Sequence, residues 1–245
     1  MTTISTSKLN TLFRHWVPGA PVAPEDLAKR GISADLAVHY VKAGWLVRLA
    51  HGVYSRPGEI LELHPCLKFL ERRIQGLHAG GKSALDWYGI RQYVSQTPVT
   101  SLYGWKAAKL PEWFTTAFPS HYHRKRLFKE EPDTLLYASP FEQQAGAPRV
   151  SEPERALLEV LSDVGVRQSL QEARELMQSA HTLRSKVLRE LLRSCTSVKT
   201  VRLCLQLGKE LALPWVPKLD VAELPLGSSR PWVSRSSDGL LVLKR

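Results

Sequence analysis

Between residues 23 and 56 the chain reads APEDLAKRGISADLAVHYVKAGWLVRLAHGVYSR, and no other stretch restricts its folding as much. Pro24 suits the first turn of a helix, Glu25 and Asp26 complement its positive end, and Lys29 and Arg30 complement its negative end. Gly31 can take the left-handed conformation just past that end, which limits the helix to about two turns. After the turn "GIS", Ser33 is a good N-cap for a helix over 34–43, and Gly44 stops it. On a helical wheel Ala34, Leu36, Ala37, Val38, Tyr40 and Val41 cover a broad apolar arc, while Asp35, His39 and Lys42 share the narrow remaining one. "WLVRL" and "VYSR" follow as short strands joined by "AHG", with Gly52 able to supply a positive φ. A short helix, a tight glycine turn, a second helix with a polar stripe and then a hairpin make a winged helix-turn-helix. Ahead of it, Leu9, Leu12, Phe13 and Trp16 recur at helical spacing and predict an amphipathic helix over about 6–16.

The charge of the whole chain supports a polyanionic partner. Among 245 residues, 34 Lys and Arg face 23 acids, a net charge of +11. Nucleic acid ranks ahead of a membrane surface for such a balance. Candidate DNA contacts are Ser33 and Asp35 at the start of the second helix and His39 and Lys42 along it. Arg48, His51 and Arg56 on the hairpin complete the set. Of these, Asp35 needs a base amino group as its donor. No apolar run reaches the length of a membrane span, and "MTTISTSKLN" lacks the apolar core of a signal peptide. Cys66, Cys195 and Cys204 lack metal-site spacing and read as free thiols in a reducing compartment, so the expectation is a cytoplasmic protein.

"GLHAGGKS", residues 76–83, satisfies the phosphate-loop pattern G-x-x-x-x-G-K-[ST] through Gly76, Gly81, Lys82 and Ser83. A working loop lies between a buried strand and a long helix. Here "CLKFLERRIQ" is helical, with Leu67, Leu70 and Ile74 on one face, and Gly89 interrupts the following helix within about two turns. No later apolar strand ends in Asp to hold magnesium; "TLLYAS" ends in Ser139. A tight glycine entry to a helix capped near Ser83 is expected instead, with no nucleotide and no other cofactor.

Residues 98–149 carry the strand-compatible runs "PVTSLYGW", "SHYHRKRLF" and "DTLLYAS". His121 and His123 fall on one strand face, but without a third ligand they predict no metal site. Arg124, Lys125, Arg126 and Lys129 form a candidate basic patch. Ser151 and Glu154 spell a capping box before the apolar run of "PERALLEVL", and no catalytic residue is assigned. The last third is helical. Leu183, Val187, Leu188, Leu191, Leu192 and Cys195 face inward, with Lys186, Arg189 and Arg193 opposite as a second basic patch. "LLVL" is a closing strand.

In order, "RGISADLAVHYVKAGWLVRLAHGVYSRPG", "HAGGKSALDWYGI" and "RVSEPERALLEVL" resemble the landmarks of AbiEi-type antitoxins, the antitoxin halves of type IV (abortive-infection) toxin–antitoxin systems. The resemblance extends to "LPWVPKLD" and covers most of the chain; Lys82 and the polar "SSRPWVSRSSDG" depart from the pattern. It implies an α+β protein: a winged helix-turn-helix over 1–58, then a mixed α+β antitoxin domain over 59–245 with a helical C-terminal third. The first part would bind inverted repeats in double-stranded DNA of its own promoter and repress transcription. The second would neutralise a nucleotidyltransferase-like toxin without forming a stable complex with it. The alternatives are a stand-alone winged-helix regulator without a toxin and, less in keeping with the residues around the loop, a nucleotide-binding protein using Gly76–Ser83.

Overall fold

The computed structural model describes residues 2–90, 99–129, 147–236 and 239–244. In chain order the elements are α1 (Thr2–Arg14), α2 (Pro24–Ala28), α3 (Ala34–Lys42), β1 (Val47–Ala50), β2 (Val53–Ser55), α4 (Leu63–Glu71), β3 (His78–Ala79) and α5 (Gly81–Trp87). They continue as β4 (Thr100–Gly104), α6 (Glu112–Ala117), β5 (Ser120–Arg124), α7 (Pro153–Asp163), α8 (Leu170–Gln178), α9 (Ser185–Ser194) and α10 (Val198–Glu210). Two short 3-10 turns and the hairpin β6 (Trp232–Ser236) and β7 (Gly239–Leu243) close the chain. The expected strand "DTLLYAS" lies outside the described residues.

Two compact units divide these elements, the first built from the described residues up to 75 together with 109–119 and 147–148, and the second from the other described residues. In the first, Leu9, Leu12 and Trp16 pack on Leu27, Ile32, Ala37 and Tyr40 in one apolar core with Leu46 and Tyr54. Helix α1 starts earlier than its periodicity suggests and ends at Arg14; Trp16 lies just beyond and donates from Nε1 to the Ala20 carbonyl at 2.9 Å. Helices α2 and α3 begin at the expected residues. The Ser33 hydroxyl accepts from the Leu36 amide at 3.2 Å, and Gly31 and Gly44 both take positive φ (71° and 75°). β1 and β2 form the antiparallel wing, and Val22 bridges Tyr54 as a third, single-residue strand.

The second unit is organised around α7. Ten of its eleven residues, Glu154 through Asp163, are buried. A helix enclosed on every side must pair its polar groups internally, because an unpaired buried charge costs several kcal/mol. Ser151 and Glu154 therefore do not form the expected capping box: the residue at the N-cap is Glu152, with no side-chain cap. Glu154 instead accepts from the Arg184 backbone amide at 2.7 Å and from its guanidinium, fixing the approach to α9. Ser151 donates to the Glu159 carboxylate. Tertiary pairing has displaced a local motif.

Glu159 also accepts from His78 Nε2 at 3.0 Å, Arg155 Nε at 2.9 Å and the Gly81 amide at 3.0 Å. Burial alone would raise its carboxyl, but the His78 ring, Arg155 and the Gly81 amide outweigh burial and hold it down at about 2. One turn on, Asp163 accepts from the Tyr103 hydroxyl at 2.8 Å, lies 3.1 Å from His123 Nδ1 and pairs with Lys125. These bonds tie α7 to a three-stranded sheet in which β4 is antiparallel to β3 and parallel to β5.

The tail is fastened to α10. Arg202, almost wholly buried, donates to the carbonyls of Leu226, Ser228, Arg230 and Leu243. Trp215 packs where α10 carries Gly208, and a Cβ there would come 2.9 Å from its ring. The closing strand "LLVL" is observed as β7, paired with β6.

Because the Glu159 carboxyl titrates lower in the folded chain than its ordinary 4.5, protonation favours unfolding. The stability it contributes is complete above the ordinary carboxylate range and is lost as pH falls from 4.5 toward about 2. Glu159→Gln is expected to cost about 3 kcal/mol or more near neutral pH and to flatten the acid limb of a Tm-versus-pH series followed by circular dichroism.

Candidate nucleic-acid interface

Helix α3 presents an outward ridge. Asp35, His39 and Lys42 are exposed on it, spaced four and three residues apart, with Ser33 and Asp35 at its N-terminal end. The ridge is broader than the polar arc of the wheel, because Ala34 and Val38 are exposed too, Val38 by 46%. Only Ala37 and Tyr40 are fully buried on this helix. The expected apolar arc spanned more than half the circle, whereas the core that α3 shares with α1 and α2 covers one side only. That excess was the signal that some of its members had to face solvent. Beyond α3, Trp45 and Val47 are also exposed, by 53% and 41%.

The wing supplies the second group. Arg48 is exposed, with Nε near the Ala50 carbonyl, and a register shift between Arg48 and Ala50 precedes the exposed His51 at the tip. Gly52 turns the hairpin, and its carbonyl accepts from Arg73 at 3.1 Å. β2 is buried throughout. Arg56 departs from the expected set. Its guanidinium donates to the Phe13 carbonyl at 2.6 Å and lies over the rings of Phe13 and Trp16 at 5.2 and 5.3 Å. It braces the end of α1 against the wing.

The basic run of the second unit is divided in the same way. Lys125 points inward to Asp163 and Ser162, whereas Arg124, Arg126 and Lys129 are exposed. Arg126 lies 6.0 Å from the centroid of the Trp105 ring. On α9, Lys186 is exposed, Arg193 pairs with Glu223 at 3.0 Å and Arg189 is half-buried. His123 stacks on Tyr103 at 4.6 Å and faces Asp163, so its neighbours are those of a structural pair.

At residues 76–83 an anion site is present, and Glu159 fills it. The amide of Gly81, which in a phosphate loop would face the nucleotide, donates to the Glu159 carboxylate. A Cβ at 80 would collide with that carboxylate, and one at 81 would lie 2.7 Å from the Tyr103 hydroxyl. Both glycines therefore permit close packing. The N-cap is Gly80, not Ser83, whose hydroxyl accepts from the Ser101 amide at 2.8 Å inside the first turn. Lys82 turns outward to Glu172 at 2.9 Å. The preceding strand has only two residues, too short for the buried strand of a nucleotide fold.

Among the described residues no helix is long and apolar enough to cross a membrane. A three-helix core, a β-wing and an outward ridge on the second helix of the turn place the first unit in the winged helix-turn-helix class. Two family models cover nearly the whole chain. One, described as the N-terminal domain of an AbiEi antitoxin and transcriptional regulator, matches residues 5–96; the other, a transcriptional regulator and AbiEi antitoxin of type IV toxin–antitoxin systems, matches 97–244. The chain belongs to the AbiEi antitoxin family of type IV toxin–antitoxin systems. No curated protein matches it in sequence. Among solved structures, the RV2827C protein of Mycobacterium tuberculosis is similar in fold, with a TM-score of 0.54 and 17% identity over 98% of this chain and 92% of that one.

For the glycine turn, Lys82→Ala is expected to change stability by less than about 1 kcal/mol, since it removes one exposed ion pair. Calorimetric titration with magnesium ATP is expected to give no saturable heat for either protein. Saturable binding that disappears in Lys82→Ala would restore the nucleotide reading.

Proposed function

We propose that this chain is a DNA-binding autorepressor that also acts as the antitoxin of its operon. The winged helix-turn-helix of residues 1–58 binds inverted repeats in its own promoter, and residues 59–245 neutralise a nucleotidyltransferase-like toxin without a stable complex between the two. The observation that carries the first half is the exposed ridge of α3. It is long enough to enter a major groove and is flanked by a wing whose Arg48 and His51 can meet the backbone of the duplex. The net charge of +11 supports a polyanionic partner. Membership in the antitoxin family supports the second half.

Across the ridge and wing, side chains divide by chemistry. Lys42 and Arg48 neutralise phosphates; Ser33, Asp35 and His39 offer hydrogen bonds to base edges. Val38 offers only methyl groups, which suit the thymine C5 methyl. Arg56 belongs to the brace of α1.

Fluorescence anisotropy with DNA from the chain's own promoter tests this division. Lys42→Ala and Arg48→Ala are each expected to reduce the slope of log affinity against log salt by about 1. Arg56→Gln is expected to lower Tm and leave that slope unchanged. Unaltered slopes for both Lys42→Ala and Arg48→Ala would refute the phosphate assignment.

Thymine contact has its own readout. Replacing half-site thymines by deoxyuridine is expected to weaken the wild-type protein by about 1 kcal/mol, and Val38→Ala is expected to be indifferent to that replacement. Equal responses of the two proteins would remove Val38 from base reading. Co-expression with the toxin gene of the same operon tests the antitoxin half: growth rescued by the full chain supports it, and continued arrest contradicts it.

A further inference from the structure

We propose that the first unit contains a binding site for a small aromatic carboxylate, in a cavity between α1, α2 and α4. The cavity measures about 270 Å³. That is at the small end for organic ligands and suits a body of two fused rings. Its floor is apolar. Leu12 comes from the end of α1, Trp16 from just beyond it, Phe69 from α4, and Ala20 lies on the connecting segment. The walls are already fixed: the Trp16 indole is bonded to the Ala20 carbonyl, and Leu12, Trp16 and Phe69 are each at most 5% exposed as residues. An apolar, preformed hollow of this kind binds a flat ring at little ordering cost.

The rim gives the sign of the ligand. Arg30, Lys68 and Arg72 line it against one acid, Asp26. Both Asp26 oxygens are taken up by Arg72 at 2.9 Å, and one also accepts from the Ala23 amide at 3.1 Å. The carboxyl of Asp26 is accordingly held below its usual range by Arg72, against the opposing effect of burial. Arg30 is half-buried and spends one N–H on the Asp26 carbonyl at 2.9 Å. A guanidinium has five N–H donors in a planar fork, so donors remain for a carboxylate. Lys68 is paired with Glu71 at 3.2 Å and Arg72 with Asp26, so Arg30 supplies the cation that selects an anion, and the aromatic floor selects a ring.

Ligand binding at this site does not depend on the DNA-binding reading; its effect does. Arg72–Asp26 is an ion pair between α4 and α2, the first helix of the helix-turn-helix. Leu27 of the same short helix packs in one core with Ala37 and Tyr40 of α3. A carboxylate seated beside Arg72 competes with Asp26, and the shift is passed to the helix that bears the ridge.

Isothermal titration calorimetry of the full chain with 2-naphthoate and its uncharged isostere 2-naphthamide tests the site. The acid is expected to bind at least about tenfold more tightly than the amide, the margin of a charge-assisted bond. Arg30→Gln is expected to erase most of that preference. Ala20→Phe, which fills the apolar part and leaves every charge in place, is expected to abolish binding of both. Val17→Trp, another substitution in the lining, serves the same purpose if Ala20→Phe lowers Tm. Equal affinity for acid and amide, absence of heat with either, or full binding by both filled variants would overturn the proposal. Anisotropy with promoter DNA, run with and without 2-naphthoate, reads the coupling separately. Failure to bind DNA without ligand counts against the repressor reading and leaves the calorimetric result standing.

Discussion

Three acids on one enclosed helix determine how the second unit is put together. Glu154, Glu159 and Asp163 lie at successive positions along α7, and each is buried. None can remain charged in a dry interior without donors, and each recruits them from a different part of the chain. Glu154 takes the segment leading into α9, Glu159 takes β3 and the start of α5, and Asp163 takes β4 and β5. At the far end of the helix, Lys199 of α10 donates to the Ser162 and Val164 carbonyls at 2.8 Å, where a cation also complements the helix dipole. Register among these elements is thus specified by charge as well as by shape. A slip of one residue anywhere would leave a carboxylate unpaired.

The first unit obeys a different rule. Its core is almost purely apolar, and its polar groups lie at the rim, where Arg56 and Arg72 tie elements together across rings and carboxylates. An apolar core of this kind takes up one side of α3: residues of α1, α2 and the wing pack around Ala37 and Tyr40, and the ridge stands on the other side. In the second unit, by contrast, α7 has neighbours on every side and keeps no face for a partner.

That difference explains what could be read from the sequence. The helix-turn-helix and wing are marked by local chemistry: Pro24 in a first turn, a Ser33 cap, and glycines at 31, 44 and 52 with positive φ. Such signals act within a few residues and survive folding. Ser151 and Glu154 had a local reading of equal quality, and it failed, because the carboxylate of Arg184's partner and the hydroxyl beside β3 were drawn to groups some 30 or more residues away in the chain or to Glu159 within it. The phosphate-loop pattern shows the same effect from the other direction. Its glycines, Gly76 and Gly81, are required, but for the approach of Trp105 and Tyr103, and no local pattern records which anion will occupy an amide cradle. Val38 was hidden by its own apolarity, since residue type alone cannot say which half of an overlong apolar arc finds a neighbour.

Charge counting has a corresponding limit. Part of the net +11 lies inside the second unit, on Lys199, which donates to helix carbonyls, and on Arg202, which donates to the tail; Arg155–Glu159 and Lys125–Asp163 are neutral pairs and add nothing to the total. The formal total therefore does not measure the charge carried by the ridge and wing. The cations at the surface of the ridge and wing, Lys42 and Arg48, are few. Their number, more than the formal total, sets how many counterions this surface can release. On the proposed reading, a winged helix with so small a local charge relies on shape and base edges for much of its affinity, which places weight on the uncharged members of the ridge, Ser33 and Val38, in the proposed discrimination among promoters.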